Sequence, residues 1–203
     1  MPRTVFHSSP NFSAMPELDF HTHDLSAPPG TAIVNLPLSW LLEPEKFRPL
    51  PGGFYSAGVH PWWTADEATA QAAFAGLERL LPHPQIVAVG ECGIDRLRGA
   101  ETARQTEWLR RQVEAAERYR LPVTIHCVRA FDILLALHKQ WRPTTRWTVH
   151  GFRGKPALAR QLLDAGMDLS FGRKFNGESL ALTPPGRRHR ETDDETTPPL
   201  GCP

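Results

Sequence analysis

Seven short apolar runs recur along this chain, and their spacing limits its fold more than any other feature. They cover residues 18–20, 31–38, 54–59, 86–89, 121–125, 146–149 and 167–171. Most are too short for a helix and rich in β-branched residues, as buried strands are. Helices are predicted between the later runs. One spans 64–81, with Thr64 as N-cap and Glu67 three residues on as a capping box. A second spans 101–119, with Trp108, Leu109, Val113 and Ala116 at helical spacing. A third spans 130–141 on a stripe of Phe131, Leu134, Leu135 and Leu137. A fourth spans 156–165, with Pro156 in its first turn and Gly166 as its C-cap. Residues 41–53, with Pro44, Pro49 and Pro51, read as irregular. Strands alternating with helices imply right-handed crossovers and a parallel sheet.

The ends of these runs carry the chemistry. The first leads into Asp19-Phe20-His21-Thr22-His23. Residues two apart on a strand share a face, so Asp19, His21 and His23 project together, and the two imidazoles can share a metal ion. His60, Glu91, His126 and His150 each follow a later run. Active groups collect at the carboxyl ends of strands both in closed barrels and at the switch point of open sheets. The barrel is favoured here because the candidates come from many strands. There is also no glycine-rich phosphate loop after the first strand.

Length and composition narrow the class. The chain has 203 residues, 40% hydrophobic and 22% charged, which suits one globular domain. Residues 1–14 read as a loose leader, 15–195 as the domain and 196–203 as an irregular tail. A net charge of +1 argues neither for nor against an anionic partner. Three scattered cysteines, Cys92, Cys127 and Cys202, make no disulfide framework and suggest a reducing cytoplasm. No apolar run approaches the roughly 20 residues of a membrane span, and no signal-peptide core follows Arg3. No stable protein partner is inferred.

The motifs together resemble the TatD family of metal-dependent deoxyribonucleases, within the amidohydrolase-like TIM barrels. The resemblance rests on Asp19-x-His21-x-His23, Gly58-Val59-His60-Pro61, the run from Val89 to Asp95 (Val-Gly-Glu-Cys-Gly-Ile-Asp), Pro122-Val123-x-Ile125-His126, His150-Gly151-Phe152-x-Gly154, Ser170-Phe171-Gly172 and Glu191-Thr192-Asp193. It implies a TIM (β/α) barrel that cleaves phosphodiester bonds in DNA, from a 3′ end, with two divalent metal ions (Zn, Mn or Mg). His21, His23, Glu91 and Asp193 would hold one ion. Glu91, His126 and His150 would hold the other, with Glu91 bridging. Imidazoles and carboxylates are the ligands of hydrolytic metals, and the histidine content leans towards a transition metal. Glu91 and Asp193 would be the catalytic carboxylates, Asp193 as general base. His60, Arg129 and Arg153 would face the substrate. A small-molecule amidohydrolase on the same scaffold and a non-catalytic metal-binding remnant are the alternatives.

Other residues carry two readings. His126 and His150, taken singly, could be buried core histidines, and Asp95 either orients a loop or meets substrate. Trp62 and Trp63 form either a stacking wall for a base or a hydrophobic lid. Cys92 and Cys127 alternate away from the ligands beside them and read as packing. His7, His83, His138 and His189 read as surface. Arg96, Arg98, Arg129, Arg153, Lys155, Arg173 and Lys174 follow strands, whereas many acids sit on predicted helices. The site face is therefore expected to be basic and suited to phosphate. Two departures from the family pattern stand out. The stretch before Glu191 is Gly186-Arg187-Arg188-His189-Arg190, whose charges would be desolvated in a buried strand. It predicts an incomplete C-terminal strand and helix, a barrel open on one side, and Asp193 or Asp194 as the last ligand. Val128 stands where relatives often carry arginine, with Arg129 next.

Overall fold

Each apolar run becomes a strand in the computed structural model, which describes residues 18–194. The strands are β1 (Asp19–Thr22), β2 (Ala32–Asn35), β3 (Phe54–Ala57), β4 (Ile86–Asp95), β5 (Val123–Val128), β6 (Trp147–Val149), β7 (Asp168–Phe171) and an eighth, β8 (Arg188–Arg190). Each pairs in parallel with the next, and β8 returns to β1 to close the barrel. The expected leader at 1–14 and tail at 196–203, with His7 and Cys202, lie outside the described residues. No helix among the described residues is long and apolar enough to cross a membrane.

The outer layer holds α1 (Leu38–Leu42), α2 (Glu67–Leu80), α3 (Thr102–Tyr119), α4 (Phe131–Trp141), α5 (Pro156–Asp164) and α6 (Gly177–Leu182). Two local expectations need correction. The N-cap of α2 is Asp66, whose carboxylate accepts from the backbone N–H of Ala68 at 3.2 Å. Thr64 lies in a 3₁₀ turn at Pro61–Ala65, where its hydroxyl donates to the Pro61 carbonyl at 2.6 Å and accepts from the Ala100 N–H at 3.2 Å. The strand expected at 31–38 ends at Asn35, α1 takes Leu38–Leu42, and a 3₁₀ turn at Pro44–Lys46 orders part of the stretch expected to be irregular. Gly76 makes that packing possible: a Cβ there would lie 1.7 Å from the Leu41 carbonyl oxygen.

Pleat alternation divides the barrel's two faces. Ile33 shares a face with Asn35, and Phe54 with Ser56. The Ser56 hydroxyl donates to the Asn35 side-chain oxygen at 3.0 Å, which also accepts from the Glu91 N–H at 2.9 Å. A hydrogen bond across three strands marks this face as the lumen. Leu18, Phe20, Ile33 and Val87 pack there as a small separate cluster beneath the polar groups. The larger apolar cluster, including Trp108, Leu109, Leu134 and Trp147, joins the helices to the outside of the sheet.

The barrel does not stay open at its eighth strand. All three residues of β8 are half-buried, and its basic stretch finds partners far away in sequence. Asp168, fully buried at the start of β7, accepts from Arg187 Nε at 2.9 Å and from Arg146 Nη1 at 3.0 Å. It also faces His189 Nε2 at 3.3 Å. The His189 ring stacks on Phe20 of β1, with centroids 4.3 Å apart. Burial alone would raise the Asp168 carboxyl pKa. Hydrogen bonds from His189 and Arg187, with the charge of Arg146, outweigh it and hold the group below its usual range. Three histidines expected at the surface are half-buried instead. They are His189, His138 against Trp147 at 4.9 Å, and His83 against Phe47 at 5.3 Å. Their aromatic partners come from other elements, so local pattern does not show them.

Candidate metal centre

Five imidazoles from four strand ends converge on one carboxylate. Glu91 is almost fully buried within β4. Its Oε1 lies 2.7 Å from His126 Nδ1, 2.7 Å from His150 Nε2 and 3.2 Å from His60 Nε2. Its Oε2 lies 3.3 Å from His21 Nε2 and 3.4 Å from His23 Nε2. Asp193 Oδ1 approaches the same two nitrogens, at 3.7 and 3.6 Å. One oxygen of Glu91 thus faces His126, His150 and His60, and the other faces His21 and His23, whose ring nitrogens Asp193 also approaches. Asp194, the alternative ligand, is exposed and belongs to none of the metal-competent groupings among the described residues.

Backbone detail explains this convergence. The Glu91 N–H is held by Asn35, as described above. Gly93, at φ 152°, lets β4 press against β5 beneath the ligands: a Cβ there would lie 1.9 Å from the His126 carbonyl oxygen. Barrel closure delivers Asp193. Its N–H donates to the His21 carbonyl at 3.0 Å, and its own carbonyl accepts from the His23 N–H at 3.0 Å. Asp19 fastens the same seam by accepting from the Thr192 N–H at 3.0 Å. The desolvated strand end that seemed to put Asp193 out of reach is what brings it in.

Further groups set the histidines. His126 Nε2 faces Asp95 Oδ2 at 3.3 Å, which leaves Nδ1 turned to Glu91. His150 Nδ1 faces Glu191 Oε1 at 3.5 Å, which leaves Nε2 turned to Glu91. A carboxylate behind a ligating imidazole fixes its tautomer and aim. Asp95 also accepts from the Trp62 indole N–H at 2.6 Å and the Leu97 N–H at 2.7 Å, so it orients a loop and an imidazole together. Glu191 also accepts from the Gly151 N–H at 2.6 Å. Neither Glu191 nor Asn35 was singled out from sequence. The only signal for Glu191 was its place two residues before Asp193 in the Glu-Thr-Asp motif. His60 differs from the other histidines. Its Nδ1 accepts from the Trp62 N–H at 3.2 Å, which assigns the ring proton to Nε2, pointing at Glu91.

The donor set fits divalent metal. Both nitrogens of His21 are buried and make no hydrogen bond among the described residues. Buried polar nitrogens seldom go unmatched unless a bound group serves them. Four groupings of three ligand atoms lie within 4.8 Å of one another: His21–Glu91–His150, His21–His23–Asp193, His60–Glu91–His126 and His150–Glu191–Asp193. The charge balance agrees. Burial opposes ionisation of Glu91, yet the imidazoles around it, His150 and His126 foremost, hold its carboxyl well below the usual range. Burial likewise opposes charge on His150, but Glu91 and Glu191 hold it well above its ordinary value. The hydrogen bond to Glu91 raises His23. Glu91 and Glu191 thus stabilise positive charge on these imidazoles, and a metal ion taking the place of that charge would release their protons.

A cleft of about 420 Å³ opens beside these ligands, lined by His126, His150, Asp193, Arg129 and Arg153 among others. Both arginines are exposed, and neither forms an ion pair among the described residues. Cys92 is buried in the core and Cys127 is half-buried, which agrees with a packing role.

A model of the TatD related DNase family matches residues 41–193. The chain belongs to that family. It is similar to a 3′-5′ ssDNA/RNA exonuclease TatD from Erwinia billingiae, at 38% identity over 122 residues, covering 59% of this chain and 46% of that protein. It is also similar to an uncharacterized metal-dependent hydrolase TatD from Mycobacterium tuberculosis, at 40% identity over 124 residues, covering 58% and 46%. Among solved structures it resembles YJJV, a TatD homolog from Escherichia coli, with a TM-score of 0.67 and 25% identity, covering 86% of this chain and 78% of that one. The chain spans about half the length of the curated relatives it matches. TatD membership accounts for the closed parallel barrel.

Proposed function

We propose that this chain is a divalent-metal-dependent hydrolase that cleaves phosphodiester bonds in DNA from a 3′ end. The observation that carries this is the Glu91 carboxylate, with one oxygen towards His126 and His150 and the other towards His21 and His23, beside which Asp193 lies. On this reading residues 15–195 form the catalytic domain. His21, His23, Glu91 and Asp193 hold one ion, Glu91, His126 and His150 hold a second, and zinc or manganese suits the imidazoles better than magnesium. When bound, such a pair supplies Lewis acidity to the phosphodiester and acidifies a water molecule. Asp193 lines the cleft with its side chain 30% exposed, whereas the other ligands that line it, His126 and His150, are 11% and 7% exposed. Asp193 is placed to orient the attacking water and take its proton. Arg129 and Arg153, which form no ion pair among the described residues, bind the phosphate oxygens. His60, expected from sequence to face the substrate, turns its Nε2 to Glu91 at 3.2 Å, and in this reading it keeps that carboxylate aimed. The free thiols of Cys92 and Cys127 favour a reducing cytoplasm as the place of action.

The case for a non-catalytic remnant rested on an Asp193 out of reach, and that premise fails once β8 forms. The test is metal content of the purified chain beside hydrolysis of single-stranded DNA, with Glu91→Ala as control. Close to two metals, and activity lost in the variant, are the expected results. Specific metal without turnover above the variant would overturn the reading.

A further inference from the structure

Trp62 is among the most exposed large apolar residues of the described chain, at 43%, yet it is held rigidly. Its indole N–H donates to the buried Asp95 carboxylate at 2.6 Å, and its backbone N–H donates to His60. Its ring centroid lies 4.7 Å from that of His60 and 6.0 Å from that of His126. The next residue, Trp63, packs on the core and accounts for the apolar anchoring of the turn. Trp62 is therefore not needed to cover the barrel. The Arg98 guanidinium sits over one face of the indole, 4.4 Å from its centroid, and Arg98 makes no ion pair among the described residues. A fixed, exposed aromatic ring beside an unpaired cation and a phosphodiesterase site has the components of a nucleotide subsite.

We propose that Trp62 is the stacking platform for the nucleobase of the nucleotide whose phosphate lies on the Glu91 cluster, and that Arg98 holds its place in the free protein. Stacking of a base on an indole outweighs an exposed cation–π contact. The base therefore displaces the guanidinium, which turns its charge to the phosphate or sugar edge. The subsite reads the π-face common to all bases and so tolerates any sequence. Asp95 is the positioning residue, because it holds the indole and His126 at once and so fixes the platform relative to the reacting phosphate. This inference rests on the phosphodiesterase reading above.

The experiment is calorimetric binding of two probes, 2′-deoxyadenosine 5′-monophosphate and 2-deoxyribose 5-phosphate, to the manganese-loaded full chain. The proteins compared are wild type, Trp62→Ala, Trp62→Phe and Arg98→Ala. Wild type should bind the nucleotide about tenfold or more tighter than the baseless sugar phosphate. Trp62→Ala should abolish that ratio while leaving sugar-phosphate affinity unchanged, Trp62→Phe should keep most of it, and Arg98→Ala should not reduce it. Equal affinity of wild type for both probes, or equal weakening of both by Trp62→Ala, would overturn the platform and leave the phosphodiesterase reading standing. Binding of neither probe by wild type would overturn that reading and the platform with it.

Discussion

Asp168→Asn tests whether the basic eighth strand is held by one buried carboxylate. The substitution keeps the volume and removes the charge. A hydrogen bond to a charged group contributes about 1.5–3 kcal/mol when desolvated, and an exposed ion pair only about 0–1 kcal/mol. The Arg146 side chain is 55% exposed, so its share falls in the lower range. That of Arg187 is 29% exposed and lies between, while His189, at 9%, is close to fully desolvated. The loss should total about 2–4 kcal/mol, below the figure for three buried contacts, because water recovers the two arginines in part. In urea, where m is about 1–3 kcal/mol/M, the midpoint should fall by roughly 1 M or more with the slope unchanged. The pH dependence gives a second check. The folded pKa of Asp168 is depressed. Its contribution is complete above the ordinary aspartate value of about 3.9. It declines as pH falls below that value, because the unfolded chain binds the proton first, and it is lost as pH falls through the folded value. The deficit of the variant against wild type should therefore be present at pH 5 and shrink as pH falls below about 4. An unchanged midpoint at pH 7, or a deficit that does not narrow in acid, would refute the argument that Asp168 closes the barrel.

Three further outcomes follow from particular contacts. Glycine to alanine inside a helix usually stabilises by about 0.5–1 kcal/mol, but Gly76→Ala should destabilise by about 1–3 kcal/mol or more, because the new methyl meets the Leu41 carbonyl; a higher melting temperature in the variant would contradict the α1–α2 contact. Asp193→Ala should keep the fold, lose about one metal equivalent and slow hydrolysis by about 10²- to 10⁴-fold, read by elemental analysis beside turnover. Treatment with a chelator should lower the melting temperature of the metal-loaded chain, since a ligand at 100 times its Kd stabilises by about 2.7 kcal/mol; an identical melting curve would mean that the His21–Glu91–His150 cluster holds no ion.

The strand ends were legible because two periodicities meet there: a short β-branched run and a histidine or glutamate after it. Pleat alternation alone placed His21 beside His23 and turned Cys92 away from Glu91. What stayed hidden depended on partners distant in the chain. Arg187 and His189 looked like unpaired charges because the aspartate that meets them lies about 20 residues back, at the start of an apolar strand. The cap of α2 was misplaced by two residues because Thr64 and Asp66 are both good caps, and a 3₁₀ turn at Pro61 decides between them. α1 was concealed by flanking prolines that break periodicity on both sides without preventing five residues from coiling against α2.

Closure and chemistry in this barrel are one event. β8 is too short and too basic to be stable on its own, and the bonds that hold it lie at both of its ends. Below, Asp168 gathers Arg187 and His189. Above, Asp19 holds Thr192, and the backbone of Asp193 pairs with His21 and His23. The upper set places the Asp193 carboxylate against the two imidazoles of β1, and Glu191 behind His150. A perturbation that frees the seam at Asp168 therefore loosens Asp193, the proposed general base, and the Glu191 support of His150 together. Loss of metal affinity on Asp168→Asn, at a residue that touches none of the ligands, would be the direct sign of that coupling. Full retention of metal by the destabilised variant would show that the upper bonds hold the seam unaided.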